Sequence, residues 1–81
     1  MNERFILKGR LSDAKARLKQ CNLKAENYII LIRDIIDPVC SDFTTLDLER
    51  AKITLDDFIA LQNQAKELKD QIIKLEEALN G

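Results

Sequence analysis

Side chains able to do chemistry are few in this 81-residue chain, and their spacing argues against an active site. Two cysteines are present and histidine is absent, which removes the base that a serine or cysteine nucleophile needs. Cys21 and Cys40 lie too far apart in the chain to make a zinc site on their own. If residues 21–36 are helical, fifteen rises of about 1.5 Å each also put them beyond disulfide reach, so two free thiols are expected. Carboxylates occur as the neighbours Asp56-Asp57 and Glu76-Glu77. Neighbours on a helix point about 100° apart, so each pair reads as a solvated face rather than an acid/base couple. A carboxylate-bridged metal centre in a helical bundle calls for a Glu-x-x-His repeat, and a phosphate site for a glycine-rich loop; the sequence has neither. No catalytic, metal-ligating or cofactor-binding residue follows, and an enzyme is not expected.

Bases give the one suggestive row. Arg10, Arg17 and Lys24 recur every seven residues along one edge of any helix that carries them. Two such rows on a small dimeric bundle would suit a phosphate backbone. Against that, no aromatic is interleaved for base stacking, and the formal net charge is −1. The competing reading is that these charges solubilise a helical seam or meet acids of a second subunit. Charge is unevenly placed: residues 1–25 carry seven bases against two acids, residues 26–81 six against twelve.

The elements that would hold these residues are helices. Hydrophobic content of 46%, charged content of 33%, two glycines and one proline match the usage of long packed helices. Tryptophan is absent and aromatics make up 5%, so the core must be aliphatic. A chain of this length supports one small domain, spanning residues 1–81, near the size where a single core is marginal. The N-terminus lacks the apolar stretch and small-residue cleavage site of a secretory signal. The longest apolar run, Tyr28–Ile32, is far short of the roughly 20 residues of a membrane span. A cytoplasmic protein with no membrane contact is the expectation.

Everything turns on Asp37–Thr45, which contains the only proline and lies midway between two periodic segments. In the first, Leu7, Leu11, Ala14, Leu18, Cys21, Ala25, Tyr28, Ile32, Ile35 and Val39 alternate spacings of four and three, a seam of coiled-coil type. Asn2 is placed to cap this helix, over about residues 3–37. Gly9 weakens its first turns by roughly 1 kcal/mol, and Ser12 offers a second start. Pro38 ends it. After a turn over about residues 38–45, Thr44 or Thr45 is expected to cap a second helix over about residues 46–79. The approximate capping box Thr44-x-x-Asp47 supports that start. Its seam reads Leu48, Ala51, Leu55, Phe58, Leu61, Ala65, Leu68, Ile72, Leu75 and Leu79, with two threes in succession around Phe58. Thr54-Leu55-Asp56-Asp57 offers an alternative start, which would split off a short helix over residues 46–52.

A short link makes neighbouring helices antiparallel. Pairing positions whose numbers sum to 86 matches seam to seam in seven layers, from Leu7 with Leu79 to Tyr28 with Phe58. The centre of that mirror is residue 43, inside the turn. The expected fold is therefore all-α, an antiparallel two-helix hairpin, with Lys8 near Glu76 on one flank. On the other, Arg10, Arg17 and Lys24 face Gln64, Gln71 and Ala78.

One hairpin buries only a narrow strip. Leu23, Ile29, Ile30, Leu31, Ile36, Ile53, Ile59 and Ile73 fall outside the seam. Burying each is worth roughly 1.5–3 kcal/mol, so self-association is expected, most simply as a homodimeric four-helix bundle with two-fold symmetry. The expected role is that of an interaction module, which a larger protein could also engage.

The pattern Ile32-Arg33-Asp34-Ile35-Ile36-Asp37-Pro38, followed by Leu46-Asp47-Leu48-Glu49-Arg50-Ala51 and a closing Leu75-Glu76-Glu77-Ala78-Leu79, resembles that of small uncharacterised helical proteins of Mu-like prophages. The resemblance is one of layout over most of the chain. It implies a bacterial or phage origin and a non-enzymatic accessory role, and it brings no binding residues with it.

Overall fold

The computed structural model describes residues 2–81, which form two antiparallel helices and, among the described residues, no strand. Helix α1 spans Glu3–Ile35 and helix α2 spans Leu48–Asn80, each 33 residues long. They pack along their length into a rod whose Cα envelope measures 63 × 17 × 15 Å. Its radius of gyration is 18.4 Å, where a compact chain of this length would have about 12 Å. A rod has much surface and little interior, and the core is correspondingly thin.

Each helix starts where a side chain takes up an orphan amide. The Asn2 side-chain oxygen accepts from the Arg4 amide at 3.0 Å, so α1 starts at Glu3 rather than at Ser12. Gly9 adopts helical backbone with open space where a Cβ would stand. Gly9→Ala is therefore expected to stabilise the chain by up to about 1 kcal/mol, read as a raised urea midpoint. A loss of stability would mean that the position is not an open helical site. Ile36, the residue two before Pro38, ends α1, with its amide still bonded to the Ile32 carbonyl at 2.8 Å.

The link is built on aspartates. Asp37 accepts the Val39 amide through its side chain and the Cys40 amide through its carbonyl. Asp42 accepts both the amide and the hydroxyl of Thr44, at 3.1 and 2.7 Å, and so caps a single 3-10 turn, Phe43–Thr45. These donors, the hydroxyl first, hold the Asp42 carboxyl below the usual aspartate range. A carboxylate with a depressed value contributes most above the unfolded value of about 3.9, and that contribution is lost as pH falls through the folded value. The expectation that Thr44 or Thr45 caps the second helix is corrected here. Both belong to the 3-10 turn, and Asp47 caps α2, accepting the Arg50 amide at 3.0 Å. With the cap at residue 47, the Thr44-x-x-Asp47 box does not form.

The α2 helix runs without a break through Thr54. Thr54 is buried at 7% exposure, whereas Leu55, assigned to the seam from sequence, is 43% exposed. Its hydroxyl donates to the Arg50 carbonyl at 2.8 Å, so burial leaves no polar atom unsatisfied. With Thr54 in place, the covered positions 51, 54, 58, 61, 65, 68, 72, 75 and 79 alternate three and four throughout. The two successive threes expected near Phe58 vanish. Leu48 and Val39, also assigned to seams, are exposed.

The mirror about residue 43 holds. Ala14, Cys21, Leu61 and Leu68 form the buried centre, flanked by Leu18, Ala25, Tyr28, Phe58, Ala65, Ile72 and Leu75. Tyr28 stacks on Phe58 with ring centroids 5.4 Å apart. The same pairing rule brings buried Ile35 opposite buried Ala51 and Ile32 opposite Thr54, two layers beyond the seven read from sequence. Among the described residues six apolar ones are buried, only three of them large aliphatics (Ile35, Leu61, Leu68). None of the large side chains among the described residues is completely enclosed.

Candidate functional site

A seam of alternating threes and fours gives each helix two flanking edges, and in an antiparallel pair like edges share one side of the rod. The first side carries Lys8, Lys15, Asn22, Ile29 and Ile36 from α1. From α2 it carries Leu48, Leu55, Gln62, Lys69 and Glu76. Two observations fix the assignment. Lys15 and Glu76 form an ion pair at 3.6 Å, and Asn22, Leu55 and Gln62 line one shared groove. The opposite side carries Arg10, Arg17, Lys24 and Leu31 with Arg50, Asp57, Gln64, Gln71 and Ala78.

The ion pair corrects the expected partner of Glu76, which was Lys8. Helical side chains lean toward their own N-terminus. Lys15 therefore leans toward the open end of the hairpin and Glu76, level with residue 10, leans toward the loop, so the two converge from five positions apart. Lys8 leans away from Glu76. The pair is well exposed and contributes little to stability.

On the first side, chemistry changes along the rod. The half nearer the loop is apolar: Ile29, Ile36, Leu48 and Leu55, joined by Ile59 from the adjoining row, all stand substantially exposed, Ile36 at 41% and Ile59 at 52%. Below them the groove opens where the seam residues are small. Cys21, Ala25 and Ala65 leave a depression of about 410 Å³, walled by Leu55, Phe58, Ile59 and Leu61 and rimmed by Asn22 and Gln62. The half nearer the open end is lysine-rich, with Lys8, Lys15 and Lys69.

The eight residues singled out from sequence do not form one surface. Ile29, Ile36 and Ile59 belong to the apolar half just described. By the same phase Leu23 and Ile30 lie on the back of α1, Ile53 on the far edge of α2, and Ile73 on the first side but near the open end. All of these are exposed. Leu31 is half-buried beside Tyr28 and Lys24 on the opposite side. Leu48 and Leu55 were missed because they were counted as core. The signal that could have found them was the faulty spacing around Phe58.

The basic row is brought together in part. Arg10 and Arg17 line one shallow groove with Gln71, as expected, and with Lys74, which was not foreseen. Asp13 shares that groove and holds the Arg17 guanidinium at 3.0 Å. Lys24 stands apart, beside Asn27, Tyr28 and Leu31.

Neither thiol is in a disulfide. Cys21 is buried in the seam, and half-buried Cys40 donates to the Asp42 carbonyl at 3.0 Å. Among the described residues, no cluster of three or more His, Cys, Asp or Glu is arranged to hold a metal ion. No helix among the described residues is long and apolar enough to cross a membrane. The class that fold and surface define is an all-α helical hairpin with one apolar half-face. No family model, curated protein or solved structure matches this chain.

Proposed function

We propose that this chain is a non-enzymatic protein–protein interaction module, a coiled-coil-like hairpin that self-associates into a four-helix bundle through the loop half of its first side. One observation carries this reading: five large aliphatic residues, Ile29, Ile36, Leu48, Leu55 and Ile59, stand exposed on one half-face, Leu55 and Ile59 walling its apolar groove, while among the described residues the rod buries only three. For a chain with so thin a core, covering these half-exposed side chains with a second copy is a strong drive to association. Sedimentation velocity at micromolar concentration is expected to show a dimer that dissociates on dilution. A monomer throughout that range would overturn the reading.

A second reading, a small nucleic-acid-binding bundle, is supported by Lys74 joining Arg10 and Arg17 in one groove. Asp13 in the same groove counts against it. A mobility shift with DNA or RNA that is salt-sensitive and lost in the R10Q/R17Q/K24Q variant would favour it over the first.

A further inference from the structure

We infer that the two copies associate antiparallel, apolar half-face to apolar half-face, so that the acidic loop end of each lies along the lysine-bearing open half of the other. The inference rests on the self-association proposed above and adds the orientation of the second copy.

The rod is electrically polar along its length. The loop end, residues 26–60, carries three bases against eight acids, a net of −5. The open end, residues 1–25 with 61–81, carries ten bases against six acids, a net of +4. Between these poles the half-face runs from Asn22 and Gln62 to Ile36 and Leu48, centred near the Tyr28–Phe58 layer. A two-fold axis crossing the rods at that layer lays this stretch on itself with the copies antiparallel, and one running along the rods does so with the copies parallel. The apolar area removed from water is then about the same in both arrangements, and charge chooses between them.

In the antiparallel arrangement Ile29 and Ile59 lie at the axis, each near its own symmetry mate. Ile36 and Leu55 reach over the Cys21–Ala25–Ala65 groove of the other copy. Lys15 and Lys69 come level with the partner's Asp42 and Asp47, whose carboxylates are exposed at the loop. In the parallel arrangement lysines meet lysines and the two acidic loops lie side by side. With a screening length of about 8 Å at physiological salt, these charges set orientation more than affinity. Size is adequate too. About 35 Å of overlap, from helical rise, across the 17 Å width of the rod gives a footprint of roughly 600 Å² per copy before side-chain relief is counted. A standard interface uses about 800 Å² of accessible surface per partner.

The test places one nitroxide at the loop, on Ser41→Cys in a Cys21→Ala/Cys40→Ser background, and reads the distance between copies by double electron–electron resonance. Antiparallel association puts the labels about 35–40 Å apart by helical rise. A distance within about 20 Å, in a protein that sediments as a dimer, overturns the orientation and leaves self-association standing. Helical monomers in both the labelled protein and the unmodified chain remove the self-association on which the inference rests. The unmodified chain gives an independent readout. Raising salt from about 0.05 to 0.5 M is expected to weaken an antiparallel dimer several-fold, because it screens an attraction. Tighter association at high salt would signal like poles together and would sink the inference without any substitution.

Discussion

Leu68→Ala is expected to cost about 3 kcal/mol, within the range for leucine truncation in a core. For a chain this small that is a large share of the whole, since marginal stabilities run at roughly 0.05–0.15 kcal/mol per residue. The reason lies in the neighbours. Leu68 is the most enclosed large side chain of the rod, at 6% exposure: the pairing register sets it against Leu18, between a Cys21–Ala65 layer and an Ala14–Ile72 layer. Ala14, Cys21 and Ala65 have too little side chain to collapse into the space, so most of the cavity persists. Leu79→Ala, at the half-buried end of the same seam, is expected to cost about 1 kcal/mol or less, because an open end relaxes and hydrates. Urea denaturation at one fixed protein concentration makes the comparison, since any association adds stability by mass action. Equal losses in the two variants would mean that the centre of the rod is not where its stability resides.

Much of this fold was legible because one rule, covered positions alternating three and four, applied to both halves, and a mirror at residue 43 joined them. What was not legible has local causes. Hydropathy ranks leucine above threonine, so Leu55 was given a seam position that belongs to Thr54. A threonine whose hydroxyl bonds its own helix at Arg50 is cheap to bury, and helical phase outweighs the preference for leucine. At the second cap, several oxygen-bearing residues competed. Asp42 captured Thr44 for the 3-10 turn, leaving Asp47 to start the helix. The Lys15–Glu76 pair needed the tilt of side chains along the helix, which spacing alone does not convey. The surface followed the same logic. Eight apolar residues outside the seam looked like one reservoir until the phase of α2 was fixed. That phase then sorted them onto several sides and added Leu48 and Leu55 to the half-face.

That sorting makes the sharper experiment on the surface a contrast between faces. Ile29→Glu with Leu55→Glu is expected to abolish self-association at micromolar concentration, raising the dissociation constant by about a thousandfold or more. Both side chains are already partly covered in the hairpin, so burying what remains contributes about 1 kcal/mol each. The two-fold symmetry counts each twice, giving about 4 kcal/mol, or about three decades in affinity at 1.4 kcal/mol per decade. Placing carboxylates without partners in a closed interface adds to the loss. The hairpin itself should survive, because both positions lie outside the seam and glutamate favours helix at least as well as isoleucine or nearly as well as leucine. Circular dichroism should therefore show unchanged helicity beside a monomeric sedimentation profile. Ile30→Glu with Ile53→Glu, on the back of α1 and the far edge of α2, adds the same charge to aliphatics that are themselves exposed, at 58% and 63%, and is expected to leave the dimer intact. If the second pair dissociates the protein as fully as the first, the contact lies elsewhere on the rod; if neither does, the exposed aliphatics are not what holds two copies together.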